Sequence, residues 1–182
     1  MIDEIIRQFK GFYLQTAESN QKAVELWKNY ILFSWRWWFA LGLLIIPWIV
    51  WFYLRPKKNW QSILIAGLLS YVIASILDSV GVAYGMWAYP TIIFPYLHSF
   101  YVPWDLTAVP VLIMFFLQYK KNISVYIKAI VYALISALIA EPILVWMKVY
   151  VPITWKHYYG IPLYFMIYLI VDKVSQLTKA QD

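Results

Sequence analysis

Three acidic side chains interrupt the long apolar stretches of this sequence: Asp78, Asp105 and Glu141. An ionisable group inside an apolar helix is costly to bury, and it usually faces a cavity or a partner. Counted at about 1.5 Å per residue from the inner ends of their helices, all three fall roughly 6–12 Å beyond the membrane midplane, on the outer side. This common depth predicts that the three carboxyls line one polar pocket.

The chemistry open to such a pocket is proton donation or cation binding. Carboxyls held together in a low dielectric cannot all be ionised, so one of them keeps a proton and is suited to act as an acid. Candidate counter-charges on the same side are Arg36, Lys148 and Lys156, and the titratable neighbours are His98 and His157. The alternative is a buried network of ion pairs and hydrogen bonds that holds the helices together and binds nothing.

Other kinds of chemistry are excluded or disfavoured by residue content. The chain has no Cys, which excludes disulfides, thiolate nucleophiles and Cys-ligated metal centres. Its two histidines are too few for a His-rich metal site, so neither a metal nor a cofactor is predicted. The sequence also contains no phosphate loop, dinucleotide fingerprint, nucleophile elbow or zinc-protease helix.

Composition predicts an integral membrane protein. Of 182 residues, 63% are hydrophobic and 13% are charged, whereas a soluble domain has about 45–50% apolar and about 25% charged residues. The net charge of +6 comes from short basic clusters between apolar runs. Such clusters set membrane topology and anchor to anionic headgroups. The predicted partner is therefore the lipid bilayer and not nucleic acid.

The elements that must position the carboxyls are predicted to be helices only, in a bundle of about five transmembrane spans with an amphipathic N-terminal helix. At about 20 residues per span, the chain divides into residues 1–35, a bundle over 36–175 and a polar tail at 176–182. The predicted spans are 37–54, 60–77, about 99–119, about 123–147 and about 158–171. Prolines and glycines predict that 81–101 is an irregular aromatic connection.

The N-terminal segment has its own pattern. Six apolar residues recur at helical spacing and would share one face of a helix: Ile2, Ile5, Ile6, Phe9, Phe12 and Tyr13. This pattern predicts an amphipathic helix that lies in the membrane interface or packs on the bundle, in preference to binding a protein partner.

Basic residues also predict the orientation of the chain. They cluster at 55–58, at 120–121 and near the C-terminus. The positive-inside rule places these segments inside. The N-terminal segment opposes this orientation, because Lys22, Lys28 and Arg36 would then lie outside.

The order of several motifs resembles a known family. The chain carries Trp37-Trp38, Asp78-x-x-Gly81, Trp87-x-Tyr89-Pro90, Pro103-x-Asp105, Gln118-Tyr119, Glu141-Pro142, and Trp155-Lys156 before Pro162-x-Tyr164. Over about residues 30–175 it resembles a family of small multi-pass membrane proteins of endospore-forming Gram-positive bacteria. The resemblance implies a helical bundle in the bacterial cytoplasmic membrane or the inner membrane of the spore. Because that family has no established activity, it implies no catalytic residue.

A second, partial resemblance concerns the acidic residues. The series Asp78, Gly81, Trp87-x-Tyr89 and Pro103-x-Asp105 is similar to the integral-membrane lycopene cyclase domain. That similarity implies membrane carboxyls that protonate a polyene. The chain departs from the family pattern by having a single Asp105 where an acidic pair follows the proline.

These observations lead to one main function hypothesis and two alternatives. The main one is a binding or accessory protein of the bacterial envelope or spore membrane, with a small-molecule or lipid ligand in the outer-side pocket. The alternatives are a membrane enzyme that uses a buried carboxyl as general acid on an isoprenoid or lipid, and an oligomeric channel or transporter component. A homo-oligomer or a membrane-protein partner is compatible with each. The candidate pocket residues are Asp78, Asp105, Glu141, Arg36, Lys156, His157, Trp87 and Tyr89.

Overall fold

A computed structural model describes residues 1–97, 99–119 and 122–179. The proposed titratable neighbour His98, the basic pair at 120–121 and residues 180–182 of the predicted polar tail lie outside the described residues. The described chain is mostly helical, with one two-stranded sheet.

Six helices are found in the described residues: α1 (Ile2–Leu26), α2 (Trp35–Leu54), α3 (Trp60–Ala83), α4 (Trp104–Gln118), α5 (Val125–Trp146) and α6 (Gly160–Lys179). Four of them are long and apolar enough to cross a membrane: α2, α3, α5 and α6 together with the short 3₁₀ turn that precedes it. Helix α4, which corresponds to the third predicted span, is apolar but shorter. The mostly helical fold is therefore confirmed, with four long apolar helices and one shorter one, and the number of transmembrane spans stays a prediction.

A wide π-helical turn follows α1 at Trp27–Ile31, and two helices of the bundle contain one as well. Helix α4 begins with one at Trp104–Ala108, and α5 contains another at Ser136–Ala140. In α4 the cause is Pro110, which has no N–H to donate to the carbonyl of Leu106 four residues earlier. The indole of Trp48 donates to that carbonyl instead, at 3.2 Å. Turns of this type are frequent at functional sites, and the two in the bundle lie next to acidic residues.

The core of the bundle lies where α3, α4, α5 and α6 meet. The small residues of α3 face this core, and α4 approaches closely at Gly67, where an added Cβ would lie 2.7 Å from Met114 Sδ. Buried tyrosines from α5 and α6, Tyr132 and Tyr168, pack with their ring centroids 5.6 Å apart. This packing fixes the relative positions of α3, α4 and α5, which carry the three acidic residues, and of α6.

One end of the bundle collects the start of α2, the end of α3, the start of α4, the end of α5 and the start of α6. The connections 84–103 and 147–159 cover this end. They are joined by an antiparallel pair of two-residue strands, β1 (Trp87–Ala88) and β2 (Val151–Pro152). The Met86 carbonyl also accepts hydrogen bonds from the backbone N–H groups of Ile153 and Thr154, at 2.9 and 3.0 Å.

The connection after α3 is irregular, as predicted from 81 to 101, although α3 itself continues to Ala83. Part of it is buried, including Ile92 and Ile93. Their carbonyls accept hydrogen bonds from the indoles of Trp27 and Trp37, at 2.8 and 3.3 Å. The tryptophans therefore satisfy backbone groups that no helix or strand satisfies.

Both terminal helices extend beyond the patterns that indicate them: α1 passes Tyr13, the last residue of its apolar pattern, and ends at Leu26. In α1, Val24 is the single buried residue, and the apolar face at residues 2–13 is exposed. Packing of that face on the bundle is therefore wrong, and its placement in the membrane interface stays a prediction. Helix α6 passes the predicted end at residue 171 and continues to Lys179, with Ser175 buried and the side chain of Gln176 donating to Asp172.

Candidate functional site

Asp78 lies near the end of α3 and is 6% exposed. Its Oδ1 accepts from the indole of Trp87 at 2.5 Å and from the hydroxyl of Tyr89 at 2.8 Å. Its Oδ2 accepts from the backbone N–H of Tyr101 at 2.9 Å. All three donors belong to the connection between α3 and α4, so this carboxyl fixes the path of that connection.

Gly81 makes the approach of Trp87 possible. It lies one turn after Asp78 on α3, and a Cβ added to it would lie 2.0 Å from Trp87 Cζ2. Any side chain at position 81 would therefore occupy the space of the indole ring. The glycine of the Asp-x-x-Gly motif is explained by this contact.

Asp105 lies in the π-helical turn that begins α4 and is 2% exposed. Its carboxyl lines the same cavity as that of Asp78, and its own backbone N–H donates to the Tyr101 carbonyl at 3.0 Å. Two carboxyls can hydrogen-bond to each other when one of them holds a proton. Burial of two neighbouring carboxyls therefore favours a shared proton, and Asp105 Oδ2 is a buried acceptor with no donor among the described residues.

Glu141 follows the π-helical turn of α5 and is 7% exposed. Its Oε2 lies 2.9 Å from Nδ1 of His157, and its Oε1 accepts from the hydroxyl of Tyr164 at 3.0 Å. The Tyr164 hydroxyl accepts in turn from the indole of Trp104, at 3.2 Å. Gly160 lets α6 approach, because an added Cβ would lie 3.2 Å from Glu141 Oε1.

The three carboxyls line one cavity of about 70 Å³ at this end of the bundle. We call it the carboxyl cavity. Six aromatic side chains share its wall: Trp87, Tyr89, Trp104, Tyr150, Trp155 and Tyr164. Apolar residues of α3, α4 and α6 complete it, including Ala74, Val109 and Ile167. The structure thus brings together the three acidic residues that the sequence placed at one depth.

The charge of the carboxyl cavity is not balanced by a lysine or arginine. Neither residue type is present among the described residues that line it. Arg36, a predicted counter-charge, donates to the Met147 carbonyl at 2.8 Å and lies over the Trp35 ring. Lys156 is exposed and lies outside the lining, whereas His157 reaches the site through Glu141.

Three tyrosines of the covering connections keep their protons. Burial raises the pKa of Tyr89, Tyr101 and Tyr150 above the ordinary value, and the nearby carboxyls add to the effect at Tyr89 and Tyr150. Tyr89 also stacks on Tyr101, with ring centroids 5.0 Å apart. Their hydroxyls are therefore neutral, and that of Tyr89 serves as a donor to Asp78.

Metal binding has no support in the described residues, where no three His, Cys, Asp or Glu side chains form a group that could hold an ion. Sequence reasoning missed Trp104, Tyr150, Trp155, Tyr164 and Gly160 as cavity residues. A signal existed for two of them, since Trp155 and Tyr164 belong to ordered motifs. The donor at Tyr101 is a backbone group, and its position depends on the chain path alone.

Comparison with protein-family models, with curated proteins and with solved structures found no match to this chain. Both family resemblances therefore stay predictions.

Proposed function

We propose that this chain is an integral membrane protein that binds a small organic cation in the carboxyl cavity. The four long apolar helices would cross the bilayer, and the cavity would lie near one membrane surface. The basic residues Arg55, Lys57 and Lys58 lie in the loop between α2 and α3, at the opposite end of the bundle. The positive-inside rule then places the cavity on the outer side of the membrane.

The observation that carries the proposal is the free acceptor at Asp105. Oδ2 is buried and receives no hydrogen bond from the described residues. A buried acceptor without a donor costs about 1–3 kcal/mol. An ammonium group would supply the missing donor and would balance a wall that carries Asp78 and Glu141 as well. A neutral or anionic ligand would offer only one of these gains or neither.

The aromatic wall supports the same ligand class. Rings of Trp and Tyr attract cations through their negatively charged faces, and such cages recognise organic ammonium groups. The volume of about 70 Å³ limits the group to a compact one, since a water molecule needs about 10–15 Å³ of such space. A primary ammonium with a short carbon stem fits this size.

Thermal unfolding in mild detergent, with ethylammonium as the probe, tests the proposal. A ligand that binds the folded state at 100 times its Kd stabilises the protein by about 2.7 kcal/mol. We expect ethylammonium to raise the Tm, and ethanol or acetate at the same concentration to leave it unchanged. The Asp105→Asn variant keeps the shape of the side chain but loses its charge, so the ethylammonium shift should be lost.

The control is Asp172→Asn. Asp172 lies on α6 outside the carboxyl cavity and bonds to Gln176, so this variant should keep the full ethylammonium shift. Glu141→Gln serves as a second cavity variant with the same expected loss, so that the test does not depend on the folding of Asp105→Asn. Equal shifts in the wild-type protein and in both cavity variants would contradict cation binding at this site, as would the absence of a shift in the wild-type protein.

Acid catalysis on an isoprenoid or lipid is a second candidate, and the contact between Asp78 and Asp105 favours it. A carboxyl pair that shares a proton can donate it to a substrate double bond, and the carbocation formed returns a proton to the carboxylate when a new double bond forms. The carboxyl cavity alone is too small for such a chain, so the substrate would have to enter from a neighbouring space. This candidate predicts a product that forms with the wild-type protein and is lost in Asp78→Asn and Asp105→Asn at unchanged expression. Product formation by both variants would reject it.

A further inference from the structure

A second hollow lies directly beside the carboxyl cavity. It has a volume of about 280 Å³, four times that of the carboxyl cavity. We call it the apolar groove. It runs between α2, α4 and the π-helical turn of α5, and is lined by Pro47, Trp104, Ala108, Val109, Val111, Leu112, Phe115, Ser136 and Ala140.

The two hollows share a wall. Trp104 and Val109 line both of them. The Trp104 indole is held from the cavity side by its bond to the Tyr164 hydroxyl. On the groove side, the wall is hydrocarbon except for this indole and the hydroxyl of Ser136. A charged site and a hydrocarbon site are therefore separated by one layer of side chains.

We infer that the ligand is a long-chain primary amine, with its ammonium in the carboxyl cavity and its alkyl chain in the apolar groove. The inference rests on the proposed function for the ammonium end and adds the chain. Each methylene moved from water to a hydrocarbon surface gains affinity. Trp104 and Val109 line both hollows, so these side chains would have to turn aside for one ligand to occupy both.

The charge of the site selects among amphiphilic amines. A phospholipid with an amine headgroup carries a phosphate close to its ammonium. No lysine or arginine lines the carboxyl cavity in the described part of the chain, and three carboxyls do. A phosphate there would be repelled without compensation. The expected ligand therefore has an amine and a chain but no phosphate.

Chain length provides the test. The dissociation constants of ethylammonium, butylammonium and octylammonium are measured in detergent. Each is expressed as the free aqueous concentration of the amine. Burial of each methylene raises the affinity about fourfold. Detergent micelles also bind the alkyl chain, which reduces the gain that is observed. We therefore expect a total gain of at least about tenfold from ethyl to octyl. An aminophospholipid with short acyl chains should bind at least tenfold more weakly than octylammonium.

Groove-filling variants connect this gain to the site. Leu112 lines the apolar groove but not the carboxyl cavity, so Leu112→Trp should abolish the chain-length gain and keep the affinity for ethylammonium. Leu68 is exposed on α3 and lines neither hollow. The matched control Leu68→Trp should keep both.

Each failure has a distinct meaning. Equal affinity for all three amines in the wild-type protein would overturn the chain site and leave cation binding in place. Retention of the full gain in Leu112→Trp would also overturn it, because the chain would then lie elsewhere. Binding of none of the amines, ethylammonium included, would overturn both this inference and the proposed function. Preference for the aminophospholipid over octylammonium would overturn the exclusion of phosphate.

Discussion

Replacing Gly81 with alanine should break the contact that holds the covering connection on α3. The added Cβ would lie 2.0 Å from Trp87 Cζ2, and ordinary contact begins at 3.4 Å. The indole must therefore retreat by about 1.4 Å, the difference of these two distances. Its bond to Asp78 is 2.5 Å long, so the same movement along the bond would stretch it to about 3.9 Å, beyond hydrogen-bonding range.

The cost follows from two effects. Overpacking a buried contact costs about 1–3 kcal/mol, and a lost hydrogen bond to a charged group costs about 1.5–3 kcal/mol. Alanine regains about 0.5–1 kcal/mol through its better helix propensity. The expected net loss in the free energy of unfolding is about 2–5 kcal/mol.

Reversible unfolding in mixed detergent micelles, followed by tryptophan fluorescence, measures this loss. Gly42→Ala is the matched control, because its added Cβ would lie 3.5 Å from Ile46 Cδ1, an ordinary contact. That variant should be as stable as the wild-type protein or slightly more stable. In a Trp87→Ala background, where the ring is gone, Gly81→Ala should cost almost nothing. An equal cost in both backgrounds, or no cost in the wild-type background, would refute the steric account of this motif.

Three further predictions concern the charges and caps. First, affinity for ethylammonium should rise with pH, because the cation competes with the proton shared by the carboxyl pair. Calorimetric titration at several pH values measures this affinity. An affinity that falls with pH would contradict proton sharing. Second, Tyr164→Phe should lower stability by about 1–3 kcal/mol, because it leaves the Trp104 indole without its acceptor and Glu141 Oε1 without its donor. Unchanged unfolding would contradict this network. Third, Lys128→Met should lower stability by about 1–3 kcal/mol, because Lys128 Nζ donates to two carbonyls at the end of α4, at 2.9 and 2.8 Å. Thermal unfolding would detect the change, and ethylammonium binding should be unaffected.

Much of the helical architecture was predictable from the sequence. Apolar runs marked five spans, four of which match long apolar helices and one the shorter α4. Consecutive helices in a short-looped bundle alternate in direction. An acid near the end of α3, one at the start of α4 and one near the end of α5 must then lie at the same end. This is why residue counting was enough to predict the shared level of Asp78, Asp105 and Glu141. No sequence motif was needed to predict that they line one cavity.

The remaining features depended on three-dimensional contacts. Aromatic residues make up 20% of the chain, so composition did not distinguish Trp104 and Tyr164 in the site from rings elsewhere. The extension of α6 to Lys179 rests on the burial of Ser175, which a polar-tail pattern does not indicate. Arg36 was predicted as a counter-charge to the carboxyls from its charge alone. Its guanidinium instead donates to the carbonyl of Met147, just after the end of α5.

The central claim is that a cation occupies the carboxyl cavity, and native mass spectrometry of the protein purified in mild detergent tests it most directly. The wild-type protein is compared with an Asp78→Asn/Asp105→Asn/Glu141→Gln variant of matched thermal stability, and co-purifying molecules are identified after release. The account predicts a basic amine bound to the wild-type protein and lost from the variant. The same molecules on both proteins, or an acidic or neutral molecule lost from the variant, would contradict it.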